Sequence, residues 1–378
     1  MHSILSSSLP GVLSSRIRDF ITRNTPLPGG AGGGRGPAGN ELEFEGLALE
    51  VFEFQRAHNP GYASLLTAAG LTSVAPEHWS QIPPVPTQGF KGLEMTTLQP
   101  EDRVRVFHSS GTTDQLPSRH YHSPLSLELY ETSLLAGFRQ VLPEGTPEML
   151  FLTPDPHNAP HSSLCHMFGV LRHAMAGEAS RFAGQVTPEG VWELDRRGVM
   201  DRLRSAETSG RPLWILGTAF NFVHLLEHLQ ATDARVLLPA GSRALETGGY
   251  KGRSKALPKD ELHDGITRGL GIEREGILGE YGMSELSSQA YACAGVGDPR
   301  PPLFRFPPWA RARVVSPEDG REVAEGEVGV LRVVDLANLC SALSIQTEDL
   351  AVRRAGGFEL VGRIPRSEPR GCSWMSAP

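Results

Sequence analysis

The sequence predicts an α/β protein, with helices packed on a largely parallel sheet and a small antiparallel β region towards the C-terminus. Three observations point there. From Glu41 onward, helix-period patterns alternate with short apolar runs of strand length. The 42 glycines and 30 prolines among 378 residues call for many structured loops between those elements. After about Pro308 the pattern changes to Arg-Val alternation and Gly-punctuated runs (RARVVSPEDGREVAEGEVGVLRVVDL), which reads as antiparallel hairpins.

Residues 1–24 are Ser-rich, with Arg16, Arg18 and Arg23 against the single acid Asp19; they read as a short docking helix or, alternatively, a transit-like segment. Of the sixteen residues from Thr25 to Asn40, ten are Gly or Pro, so 1–40 is expected to be a flexible segment and linker. An α/β core is expected over 41–308, a β-rich subdomain over 309–363 and a tail over 364–378. Val104–Phe107 is the first strand expected in the core. Leu127, Tyr130, Leu134, Phe138 and Val141 recur at spacings of three and four, which predicts a helix with one apolar stripe. Met149–Leu152, Leu213–Leu216, Val236–Leu238 and Ile277–Leu278 are further buried-strand candidates. Between them, helices are readable at about 161–177, 218–230 and 258–270. In the last of these Pro258 suits the first turn, and Leu262, Ile266 and Leu270 share a face.

Hydrophobic residues make up 39% and charged residues 21%, an ordinary globular composition that excludes disorder of the whole chain. The formal net charge of -7 leaves no global electrostatic footprint for nucleic acid. No run approaches the ~18 apolar residues of a membrane span. Cys165, Cys293, Cys340 and Cys372 are far apart with no CxxC pair, which fits a reducing, cytoplasmic setting.

Four segments can carry chemistry. VRVFHSSGTTDQLPSRHYHSPLSLELY runs from a strand (Val104–Phe107) through a Ser/Thr/Gly loop into a helix. Successive N–H groups and the hydroxyls of Ser109, Ser110, Thr112 and Thr113 around Gly111 suit phosphate, and an ordinary helix-capping turn fits them as well. Thr247-Gly248-Gly249 precedes Tyr250, Lys251 and Arg253, offering close backbone approach, a stacking face and charge; a basic surface loop has the same composition. Gly279-Glu280-Tyr281-Gly282-Met283-Ser284-Glu285 follows a strand, and a carboxylate there can hold Mg²⁺ beside phosphate oxygens, or be a solvated charge. Asp349 of TEDL and Arg363, fourteen residues later, can close over a sugar or belong to a hairpin surface. His157, His161, Cys165, His166 and His173 crowd one stretch and raise the alternative of a metal site. No GxSxG elbow is present for a serine hydrolase.

In this order, SSGTT, TGG, YGMSE, TEDL and GR resemble the adenylate-forming superfamily. The longer strings HSSGTTDQLPSRH, HSSLCHM, TGGYKGR, GEYGMSELSSQAY, PPW (Pro307–Trp309) and VGRIPRSEPRGCSWM resemble the LuxE-like acyl-protein synthetases, from about Glu41 to the C-terminus. The resemblance implies a large N-terminal adenylate-forming domain, a small antiparallel β subdomain and a mobile C-terminal domain reduced to a short tail. It implies ATP and Mg²⁺, with Ser109 to Thr113 cradling phosphates and Thr247 to Gly249 bordering adenine. Tyr281, Gly282 and Glu285 match the tyrosine-glycine and metal-side glutamate, and Asp349 and Arg363 match the ribose-binding Asp and the hinge Arg. Cys372 stands where the family carries an acyl-accepting cysteine. Cys165, Cys293 and Cys340 read as core.

The implied activity joins a long-chain fatty acid to AMP and passes the acyl group to Cys372 for delivery to a partner, by resemblance an acyl-CoA-reductase-like protein or an acyl carrier. The alternatives are direct transfer to an external thiol or amine, and a catalytically silent nucleotide or acyl binder. Two departures from the superfamily stand out. Asp114 occupies a position where most of its members have glycine, and the usual Pro-Lys is Pro117-Ser118-Arg119. Only fifteen residues follow Arg363, leaving no room for the superfamily's C-terminal lysine domain, so Lys251 or Arg119 is expected to supply the missing charge. Phe151, Met167, Phe168, Leu171 and Phe220 suit either an acyl pocket or ordinary core.

Overall fold

The computed structural model describes residues 9–25, 38–109, 116–142, 145–248, 258–293 and 302–364. The chain forms two compact units, each discontinuous in sequence. Unit 1 takes the chain up to Leu142, Met283–Gln289 and everything from Arg305; unit 2 takes Pro143–Gly282 and Ala290–Phe304.

Unit 1 begins with helix α1 (Leu9–Arg23), whose Leu13, Ile17, Phe20 and Ile21 are buried at helical spacing. Its arginines pair outward, Arg16 with Glu50, Arg23 with Glu43 and Arg18 with Glu128. These exposed pairs contribute little, so the apolar stripe is what docks the helix. Helix α2 (Ala38–His58) starts inside the stretch read as linker, with Glu41 in its first turn, so Ala38, Gly39 and Asn40 are helical. Then follow α3 (Pro60–Ala68), strand β1 (Val85–Pro86) and the single turn α4 (Gly89–Gly92).

The hydroxyl-rich loop does not run straight into a helix. Strand β2 (Arg105–His108) pairs antiparallel with β3 (Arg119–His122), and helix α5 (Pro124–Phe138) begins only afterwards. Ser123 caps that helix with a Ser126 capping box and Pro124 at its first position. The expected single stripe is too narrow, since Ser126, Leu129, Tyr130, Ser133, Leu134, Ala136, Gly137 and Phe138 are all buried.

Closing the unit are β11 (Ala310–Val315), β12 (Val328–Asp335), β13 (Ser344–Arg354) and β14 (Gly357–Arg363), each antiparallel to the next. Val85 and Pro86 of β1 join in parallel beside Ile345 and Gln346 of β13.

Among the described residues, unit 2 is built on one seven-stranded sheet. Its strands are β4 (Glu148–Pro154), β5 (Arg181–Val186), β6 (Trp192–Leu194), β7 (Leu213–Thr218), β8 (Arg243–Thr247), β9 (Ile277–Tyr281) and β10 (Ala290–Cys293), in the order β10-β9-β8-β7-β4-β5-β6. The five inner strands run parallel, and both edge strands are antiparallel. Helices α6 (Ser163–Ala174), α7 (Arg196–Ser209), α8 (Ala219–Ala231) and α9 (Lys259–Leu270) complete the alternation. Leu150, Leu152, Leu213, Ile215, Phe222, Ile266 and Leu270 belong to one buried cluster, each side chain worth about 1.5–3 kcal/mol of burial.

Val236–Leu238 is not a strand. Its Val236 and Leu238 N–H groups donate to the carbonyls of Gly269 and Leu270, so this apolar run covers the end of α9, and β8 forms only after Pro239. Pro258 is the N-cap of α9 rather than a first-turn residue.

Candidate active site

In unit 1 the base of the hydroxyl-rich loop is closed by a reciprocal pair. Ser109 N–H donates to the Ser118 carbonyl (3.3 Å), and Ser118 N–H donates to Ser109 Oγ (2.9 Å). Alternation along β3 buries His120 and His122 and leaves Arg119 and Tyr121 on the other face. Arg119 accordingly bears on Glu94, whose carboxyl is held below its ordinary range by Arg103 first, against burial, with Arg119 assisting. His120 is neutral, because burial pushes its imidazole down to about 4. Its Nδ1 lies 2.9 Å from the Ser284 carbonyl; a carbonyl only accepts, so Nδ1 carries the hydrogen.

Met283–Gln289, which holds Glu285, has no helix or strand of its own and is tied down by side chains. Asp335 at the end of β12 accepts four hydrogen bonds: at Oδ2 from Ser287 N–H (3.0 Å) and Ser288 N–H (2.8 Å), at Oδ1 from Ser288 Oγ (2.7 Å) and Ala337 N–H (3.0 Å). Asn338 Nδ2 donates to the Glu285 carbonyl (2.9 Å), and Asn338 Oδ1 accepts from Ser287 Oγ (2.7 Å). Ser133 of α5 lies 2.9 Å from Ser288 Oγ and accepts from Trp309 Nε1 (2.8 Å), which gives the PPW tryptophan a structural role. Gln55 of α2 in turn holds the Asn338 and Leu339 carbonyls and the Leu343 N–H.

The Glu285 carboxyl is buried, and that burial pushes its pKa up against the Ser118 hydroxyl and the charges of Arg363 and Lys91. Asp349 and Arg363 face one another across β13 and β14, and Arg363 Nε donates to Asp349 Oδ1 at 2.8 Å. Asp349 is buried, whereas the Arg363 side chain is 65% exposed.

In unit 2, Thr218, Thr247 and Tyr281 end the neighbouring parallel strands β7, β8 and β9, the carboxyl edge where open α/β sheets bind ligands. Thr218 caps α8 with an Asn221 capping box. Thr247 is paired in register with Glu280 of β9 and donates its hydroxyl to Glu280 Oε2. Burial raises the Glu280 carboxyl to about 7, with Thr247 opposing and the charge of Glu246 adding to the rise. Glu246 contrasts with it: although burial pushes up, His263 and Lys259 hold its carboxyl below the ordinary range, with Lys259 Nζ at 2.8 Å. Gly248, next after β8, has φ +67°, a left-handed conformation that glycine takes without penalty. Tyr281 is buried, its ring edge-on to Phe304.

Of the residues singled out in the sequence, unit 1 holds Ser109, Glu285, Asp349 and Arg363, and unit 2 holds Thr247, Gly248, Tyr281 and Gly282. Ser110, Gly111, Thr112, Thr113, Asp114, Gly249, Tyr250, Lys251, Arg253 and Cys372 lie outside the described residues. Cys165 and Cys340 are buried thiols, both pushed up to about 11 by burial. Phe151, Met167, Phe168 and Leu171 are core side chains. Among the described residues no three His, Cys, Asp or Glu side chains form a metal-binding group, the histidine-rich 157–173 stretch included. Sequence reasoning passed over Asp335, Asn338, His120, Lys91 and Glu280. The available signal was polarity out of place, with acids inside the apolar runs VLRVVDL and ILGEY. Among the described residues no helix is long and apolar enough to cross a membrane.

A family model for acyl-protein synthetase, LuxE, matches residues 71–377. The long-chain-fatty-acid–luciferin-component ligase of Vibrio harveyi is 21% identical over 339 residues, covering 86% of this chain and 85% of its own. The protein of the same name from Aliivibrio fischeri is 22% identical over 313 residues, covering 79% and 78%. Among solved structures, 2-hydroxyisobutyryl-CoA ligase in the postadenylation state with 2-HIB-AMP matches with a TM-score of 0.63 at 13% identity, over 91% of this chain and 70% of that one. Its open conformation with 2-HIB-AMP and CoA gives 0.62 at 14%, over 90% and 77%. At such identity the likeness establishes the fold, which is that of adenylate-forming enzymes. With its family model spanning residues 71–377 on that fold, the chain belongs to the LuxE acyl-protein synthetases and is a ligase.

Proposed function

We propose that this chain activates a long-chain fatty acid with ATP as an acyl-adenylate and then accepts the acyl group on Cys372. The observation that carries the reading is the placement of Thr247 and Tyr281 at the carboxyl ends of adjacent parallel strands, within a chain that matches the acyl-protein synthetase family. The names of the two bacterial relatives supply the substrate class.

In the first step a fatty carboxylate oxygen attacks the α-phosphorus of ATP, the new O–P bond replaces the one to pyrophosphate, and pyrophosphate leaves. Ser109 to Thr113 offer hydroxyl and N–H donors to the phosphates. Thr247 to Gly249 border the base beside Tyr281 and Gly282. Asp349 accepts from ribose hydroxyls and Arg363 adds a positive charge. Glu285 fits a divalent cation: it is a buried carboxyl, an oxygen donor of the type Mg²⁺ prefers, and a nucleotide-borne ion needs only one or two protein carboxylates. Bound there, Mg²⁺ would supply neutralisation of phosphate charge. In the second step the Cys372 thiolate attacks the acyl carbon, the C–S bond forms, the C–O bond to AMP breaks and AMP leaves. The thioester is then delivered to a partner that reduces or carries the acyl group.

Fatty-acid-dependent exchange of labelled pyrophosphate into ATP tests the first step across a chain-length series. Exchange is expected from wild type and Cys372→Ser alike, and its absence from both with every acid contradicts the reading.

A further inference from the structure

Glu285 sits in a segment with no regular hydrogen-bonding ladder, so its place depends on side chains that grip the backbone around it. Four bonds to its backbone and one to a serine hydroxyl do so. His120 Nδ1–H holds the Ser284 carbonyl, Asn338 Nδ2 holds the Glu285 carbonyl, and Asp335 takes the N–H groups of Ser287 and Ser288 and the Ser288 hydroxyl. Asp335 and Asn338 belong to one turn, closed by Asn338 N–H donating to the Asp335 carbonyl at 3.0 Å. Both side chains are buried, at 0% and 1% exposure, so water does not compete for these bonds. A turn that served only to end β12 would not need a buried carboxylate with three of its four donors on a distant segment.

We infer that Asp335 and Asn338 are positioning residues that fix Glu285 for the nucleotide reaction. The inference rests on the proposed role of Glu285. Neither touches a reacting atom in this assignment; they act through the backbone of Glu285 to Ser288. Each Asp335 oxygen accepts from at least one backbone N–H. In Asp335→Asn the NH₂ faces either the Ser287 and Ser288 N–H groups or the Ala337 N–H of its own turn, so in each orientation a backbone bond is lost, to the Glu285 segment in the first and in the turn that carries Asn338 in the second.

The test is a double-mutant cycle on the full chain, read by fatty-acid-dependent ATP–pyrophosphate exchange at varied Mg²⁺ and by thermal unfolding. Asp335→Asn is expected to lower exchange by roughly 10–100-fold and to raise the Mg²⁺ concentration for half-maximal rate, as disturbed outer-shell support does. In a Glu285→Gln background the same substitution is expected to cost nothing further, because the residue it positions has already been changed. Glu359→Gln, which removes the charge from the Arg354 pair elsewhere in the same sheet, serves as a stability control and is expected to keep the wild-type Mg²⁺ dependence. If Asp335→Asn does not fold, Asn338→Ala and Ser288→Ala run the same cycle.

Additive losses with Glu285→Gln, or a folded Asp335→Asn with wild-type rate and Mg²⁺ dependence, would overturn the inference. No exchange by the wild-type chain instead overturns the functional reading, and the inference falls with it.

Discussion

Asp335 of unit 1 and Glu280 of unit 2 are both buried acids at the ends of strands, yet their surroundings differ in kind. Among the described residues, Asp335 collects four donors, three of them backbone N–H groups, and Glu280 collects one hydroxyl, from Thr247. An N–H can only donate, so the Asp335 site is shaped for a charged carboxylate. Burial raises the pKa of both groups, but at Asp335 a full set of donors opposes it. A buried acid with donors on every side organises backbone, and one with a single hydroxyl sits poised to titrate.

The largest expected effect follows from removing the donors' acceptor. Asp335→Ala strands three buried N–H groups and should cost at least about 3 kcal/mol in denaturant unfolding; a loss below about 1 kcal/mol would break the contrast. Glu280→Gln should behave oppositely and with pH. Folded Glu280 keeps its proton up to about 7, whereas the unfolded group releases it near 4.5, so wild-type stability falls as pH rises through that window. Glutamine accepts the Thr247 hydroxyl without titrating, so the variant should gain on wild type by roughly 1 kcal/mol per pH unit between those values and level off above. Parallel pH profiles would remove Glu280 from the poised class.

Ser133→Ala should cost about 1–2 kcal/mol, because it leaves the buried Trp309 Nε1–H without its acceptor. Gly248→Ala should cost about 1 kcal/mol from its left-handed backbone alone, since among the described residues no atom beyond its chain neighbours lies within 4 Å of the added methyl group. A larger loss there would mean that the space beside Gly248 is also needed.

Much of unit 2 was legible because parallel strands and their helices alternate along the sequence. Leu262, Ile266 and Leu270 announce α9 by spacing, and all three are buried. Val236–Leu238 misled because a short apolar run looks alike whether it pairs in a sheet or covers a helix end. Strand β3 was hidden by its polar letters, RHYH, two of which are buried histidines. The interleaving of the two units, crossing at Gly282 and returning after Gln289, leaves no compositional trace. The motif residues were legible as chemistry, whereas Asp335 and Asn338 were not, because their purpose lies in backbone groups about fifty residues away in sequence.

The most direct measurement is labelling of the purified chain with a radioactive long-chain fatty acid, with and without Mg-ATP, on a denaturing gel followed by neutral hydroxylamine, beside Cys372→Ser. ATP-dependent label that hydroxylamine removes and that vanishes in Cys372→Ser is the predicted result. Label that survives in Cys372→Ser, or none in either protein across the chain-length series, would contradict the acyl-enzyme account.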